Sequence, residues 1–179
     1  MDIKSAQQDV QTTFARGSIG QVVSGVIWLV SAMLGTWVNE RYAILLLVLG
    51  GAFIFPLTQL TLRVMGRSVG LPKGHPLNPL AMQVAFIVPL SLPLIGAASL
   101  YNINWFYPAF MLVVGTHYMP FIFLYGMWEF AVLAAVLIGG SVGIGMLLPG
   151  AFIVGGWFTG IVLILFALLV QLTPRFSKQ

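Results

Sequence analysis

Apolar residues run on for long stretches, and polar residues collect in the short gaps between them. Six such stretches cover most of the chain. A bilayer hydrocarbon core is about 30 Å thick and takes roughly 20 apolar residues per helical crossing. The runs therefore predict spans at about 18–38, 42–62, 79–100, 106–127, 130–148 and 151–172. A barrel strand would alternate apolar and polar residues. Ala43-Ile44-Leu45-Leu46-Leu47-Val48-Leu49 does not alternate. Inside lipid every backbone polar group must be satisfied internally, which leaves helices as the reading. The expected fold is all-α: a polytopic integral membrane helix bundle of six transmembrane helices. It forms one membrane domain over 1–179 with no separate soluble domain.

The gaps carry their own information. Before the first span, 1–17 is polar, with Ile3, Ala6, Val10 and Phe14 at three- or four-residue spacing. That spacing suits an amphipathic helix lying in the interface, or else a loosely ordered tail. Nothing in it resembles a cleavable signal, so the first span is expected to serve as its own insertion signal. Val64–Asn78 is the one substantial loop. Trp128-Glu129 and Pro149-Gly150 mark the last two joints, and Thr173–Gln179 is a short basic tail.

Charge refines the picture. Only 7% of residues are charged, and 59% are hydrophobic. A soluble domain carries about 25% charged residues, so lipid faces most of this surface. With an even number of spans both ends share a side. That side collects Lys4, Arg16, Arg63, Arg67, Lys73, Arg175 and Lys178, against Arg41 alone on the other. Positive residues stay inside, so an N-in/C-in orientation is expected. Tyr42, Tyr101, Trp105 and Tyr107 then mark the outer interface. Arg63, Arg67 and Lys73 are placed to meet anionic lipid headgroups.

The net charge of +4 is thus a matter of topology, not of nucleic-acid binding. The chain has no cysteine, which excludes disulfides and thiolate chemistry. No metal-ligand spacing, nucleophilic triad or paired carboxylate is present, so neither a metal, a cofactor nor an enzymatic activity is expected.

A few polar residues sit at costly depth. His117 lies about 16 Å into the fourth span at 1.5 Å per residue. An ionisable group there usually faces the bundle interior. Pro120 cannot donate to the carbonyl of Thr116, so Thr116, His117 and Tyr118 are a candidate niche for a ligand or proton. Interhelical packing of a neutral histidine is the competing account. Gln21, Gln59 and Gln83 each lie about one turn inside their spans, with Tyr125 at similar depth. They read as a ring around a cytoplasmic mouth, or as interhelical hydrogen bonds. Glu129 reads as a gate, or as an interfacial carboxylate paired with Arg63 or Lys73. Pro89 and Pro93 kink the third span. Gly139/Gly143 and Gly156/Gly160 have the small-xxx-small spacing of close helix packing.

Several short segments give the chain a resemblance. Asp2-Ile3-Lys4-Ser5-Ala6-Gln7, Phe55-Pro56-Leu57, Lys73-Gly74-His75-Pro76-Leu77, Phe106-Tyr107-Pro108-Ala109 and Leu124-Tyr125-Gly126 carry it. On these the chain resembles an uncharacterised family of small bacterial multi-span membrane proteins, a domain of unknown function. The resemblance implies a bacterial cytoplasmic (inner) membrane and no particular activity. Two functions follow as expectations from the residues. The first is small-molecule or ion transport or binding in the bundle core around His117. The alternative is a non-transporting scaffold, assembly or sensor subunit. Its mark would be an exposed glycine-lined face on the fifth and sixth spans, which leaves a homo-oligomer open.

Overall fold

The computed structural model describes residues 2–172; the basic tail, 173–179, lies outside the described residues. Seven α-helices follow one another: α1 (Ile3–Thr13), α2 (Ser18–Trp37), α3 (Glu40–Val64), α4 (Asn78–Tyr101), α5 (Phe106–Tyr125), α6 (Glu129–Leu147) and α7 (Val154–Leu172). Short 3-10 turns at Ala15–Gly17 and Ile103–Trp105 lead into α2 and α5. No strand occurs among the described residues. The helices α2 to α7 are each long and apolar enough to cross a bilayer. The protein is an all-α, multi-pass membrane bundle.

Proline does not end the helices. Pro56 in α3, Pro89 and Pro93 in α4, and Pro120 in α5 all lie inside continuous helix. Membrane helices tolerate this because neighbouring helices and local adjustments satisfy the freed carbonyls. Asn39 caps α3 by accepting from the Tyr42 N–H at 3.1 Å. Gly126, with φ of 62°, ends α5 in the left-handed conformation, where a Cβ would be costly.

Packing follows an arc. α3 lies on α2, α2 on α7, α7 on α6, α6 on α5, and α5 on α4. The two ends of the arc, α3 and α4, are consecutive in the chain, yet no comparable packing joins them. They accordingly bury little: Ala43, Leu47 and Leu62 on α3, Val84 and Ile95 on α4. The remaining helices hold the core. α2 and α7 touch backbone to backbone: a Cβ on Gly25 would lie 3.1 Å from the Gly160 carbonyl, and one on Gly160 would lie 3.1 Å from that of Gly25.

Between α2 and α5 the space is filled by rings. Trp28 meets Phe110 edge-on at 5.3 Å and Tyr107 at 5.8 Å. Phe106 and Phe152 close that layer. A second layer, Tyr118, Phe121, Tyr125, Phe130 and Phe166, fills the bundle nearer α1. Trp28, Tyr107, Phe106 and Phe130 are almost wholly buried.

Candidate functional site

Polar side chains concentrate at the end of the bundle that carries α1, and helix geometry explains why. A helix leaves its last four carbonyls without intrahelical partners, and that end is electronegative. α1, α5 and α7 each have a carbonyl in or beside their last turn served by a donor from elsewhere. Gln7 and Gln11 of α1 donate to the Phe123 and Tyr125 carbonyls of α5, at 2.6 and 2.7 Å. Arg16 donates to the Val170 carbonyl of α7 at 2.8 Å. Arg67 donates to the Thr12 carbonyl of α1 at 3.1 Å.

The same end is the N-terminus of α6, where a carboxylate is favoured. Glu129 stands there in the first turn, and Arg16 Nη2 lies 3.5 Å from its Oε1. The sequence pointed to Arg63 or Lys73 as its partner; the partner is Arg16. Arg16 reaches Glu129 from an unusual backbone. Ala15, Arg16 and Gly17 have φ of 49°, 56° and 81° in succession. Left-handed backbone costs a non-glycine residue roughly 1–2 kcal/mol. At the other end of its side chain Arg16 holds the Val170 carbonyl and Glu129.

The candidate residues read from the sequence divide. Gln21 and Tyr118 come together: the Tyr118 hydroxyl donates to Gln21 Oε1 at 2.6 Å in the buried core. Tyr125 is buried beside them, against Phe121 and Phe130. The other two glutamines do not join Gln21. Gln59 is half-buried on α3, and Gln83 is exposed on α4, so the three amides do not form a ring. Thr116 is exposed, and its hydroxyl donates to the Val113 carbonyl of its own helix at 2.9 Å. The Thr116–His117–Tyr118 niche is thereby split across the faces of α5. The His117 ring meets Tyr118 and Phe121 at tilts of 59° and 58°, and its Nδ1 is buried without a hydrogen-bond partner. His117 lines neither the apolar groove between α2 and α3 nor the polar cleft beside α1.

A buried network escaped sequence reasoning. Ser31 of α2 donates to the Ala43 carbonyl of α3 at 2.8 Å. A hydroxyl has one proton, so the Tyr107 hydroxyl must be the donor in its 2.6 Å contact with Ser31. That pair ties α2, α3 and α5 together. A serine in an apolar run gives no sign of which helix it will meet. The i, i+4 spacing of Gln7 and Gln11, by contrast, was a legible signal of a shared face.

The small residues separate too. On α7, Gly155, Gly156 and Gly160 face inward: a Cβ on Gly156 would come within 2.8 Å of the Tyr107 ring. On α6, Gly140 faces inward against Phe158, but a Cβ on Gly139 or Gly143 would meet nothing within 4 Å. Ala131 and Ala135 are exposed as well. Ala131, Ala135, Gly139 and Gly143 thus form one outward stripe with four-residue spacing, flanked by exposed Val132, Val136 and Val142.

These features define a class: a multi-pass helical membrane protein whose core is packed with aromatic rings and whose polar groups either pair within that core or serve helix ends. Residues 3–173 match the model of a Family of unknown function (DUF7010), and the chain belongs to that family. No curated protein and no solved structure matches it.

Proposed function

We propose that this protein is a non-enzymatic, non-transporting assembly subunit of the bacterial cytoplasmic membrane that pairs with a second copy of itself through α6. The observation that carries this reading is the outward Ala131–Ala135–Gly139–Gly143 stripe, open at both glycines. Lipid tails are as apolar as leucine, so membrane helices associate where small residues let backbones approach. Copies inserted with the same topology are related by a two-fold axis along the membrane normal. That axis sets α6 against α6 in parallel, and the stripe is its own complement.

Orientation is part of the proposal. Lys4, Arg16, Arg63, Arg67 and Lys73 gather at the α1 end and Arg41 with Glu40 at the other, which supports N-in/C-in by the positive-inside bias. Arg63, Arg67 and Lys73 then face the anionic lipids of the inner leaflet. The test is the oligomeric state in lipid. Energy transfer between labelled copies in vesicles should report a dimer, and the Gly139→Leu/Gly143→Leu double variant should weaken it at least about tenfold, roughly 1.4 kcal/mol. A wild-type protein that stays monomeric at high density in the bilayer would sink the reading.

A second reading rests on His117, whose buried Nδ1 lacks a partner. An intramembrane ionisable group marks a binding or transport site by default. It requires that reconstituted vesicles take up or bind a small solute or ion, and that His117→Ala abolish this.

A further inference from the structure

α1 and the α3–α4 loop enclose a cleft of about 440 Å³, lined by Asp9, Thr12 and Thr13 from one side and Ser68, Gly70 and Leu71 from the other. Its position is set by the fold. The loop joins two membrane-spanning helices, so the cleft lies at headgroup level.

Its chemistry favours a cation. Asp9 supplies a carboxylate that is half exposed. Thr12 and Thr13 form the C-terminal end of α1, and no basic residue stands in that last turn. The hydroxyls of Thr12, Thr13 and Ser68 are acceptors as well as donors.

A second observation stands behind the carboxylate. His75 is buried, and its Nδ1 accepts from the Leu77 N–H at 3.2 Å. The neutral ring must then carry its proton on Nε2. That N–H has no hydrogen-bond partner, and Asp9 Oδ2 lies 3.9 Å away. A buried donor is aimed at the carboxylate and leaves its other oxygen for a ligand. Beside it Arg67 uses one donor on the Thr12 carbonyl, and a guanidinium has five. The cleft thus holds a cation-binding carboxylate, and a guanidinium fork stands beside it, next to the lining residues Thr12 and Ser68.

We infer that this cleft binds a primary ammonium group carried next to a phosphate, with the ammonium on Asp9 and the phosphate toward Arg67. Phosphatidylethanolamine and free phosphoethanolamine share that chemistry. A quaternary ammonium has no N–H to give to Asp9 or the hydroxyls, so the site discriminates against choline. This inference is independent of pairing through α6.

The test uses the full-length protein, stripped of lipid in detergent and then offered equimolar phosphatidylethanolamine and phosphatidylcholine, with retained lipid read by native mass spectrometry. Wild type should retain the ethanolamine lipid by up to about fivefold over choline, the scale of one exposed charge pair. Asp9→Asn should bring the ratio near unity; Ser68→Ala should lower it partway. Millimolar phosphoethanolamine displacing the lipid would assign the site to a soluble ligand of the same chemistry, and failure to displace would assign it to the lipid. Equal retention of the two lipids by wild type would overturn the inference, as would a preference that survives Asp9→Asn.

Discussion

α6 and α7 carry the same motif in opposite surroundings. Gly139/Gly143 and Gly156/Gly160 are both pairs of glycines four apart on apolar helices. On α7 the missing side chains are replaced by the Tyr107 ring, Leu29 and the Gly25 carbonyl. On α6 the missing side chains leave open space. The first pair is spent on folding the protomer. The second is left at its surface. Glycine spacing states that a backbone can be approached closely; it does not state by what.

Substitutions can break this contrast, and the largest effect is expected on α7. Gly156→Leu would drive a branched side chain into Tyr107, which has little room to move because its ring is wholly buried against Trp28, Phe106 and Phe152. Overpacking costs about 1–3 kcal/mol and at times more, so thermal unfolding in detergent should show loss of most folded protein. The Gly139→Leu/Gly143→Leu pair should weaken the dimer at least about tenfold without lowering that melting curve.

A sharper comparison uses neighbours on one helix. Gly140→Ala puts a Cβ 2.5 Å from a Phe158 ring carbon and should destabilise by about 1 kcal/mol or more. Gly139→Ala meets nothing, and relief from glycine's poor helix propensity should make it neutral or stabilising by up to about 1 kcal/mol. If the two alanines behave alike, α6 is rotated from the orientation described. The smallest effect belongs to the polar tie beneath α7. Tyr107→Phe should cost on the order of 0.6 kcal/mol, the average for a hydrogen bond between membrane helices, because Ser31 keeps its bond to Ala43.

The transmembrane helices were legible because a bilayer imposes one rule on every residue it covers. Length and apolarity suffice, and α2 to α7 follow from them. The amphipathic spacing of Ile3, Ala6, Val10 and Phe14 likewise marked a segment with one apolar face, and Ala6 and Val10 are buried. The candidate site was less legible. Depth along a helix follows from counting residues, but the direction a side chain faces depends on where the neighbouring helices stand. Gln21, Gln59 and Gln83 share a depth and not a direction. Thr116 and Tyr118 are two residues apart and point to different surroundings. Glu129 had several cations to choose from, and the left-handed turn at Ala15–Gly17 selected Arg16.

Composition and run length alone made this a helical membrane protein, since 7% charged residues cannot clothe a surface in water. The arc of helices, the separation of α3 from α4, and the choice of which glycines meet a neighbour were decided only by packing. An α-helix of apolar residues has no strongly preferred face until large side chains such as Trp28 and Tyr107 find the gaps left by small ones. That matching is a property of pairs of helices, and no single stretch of sequence contains it.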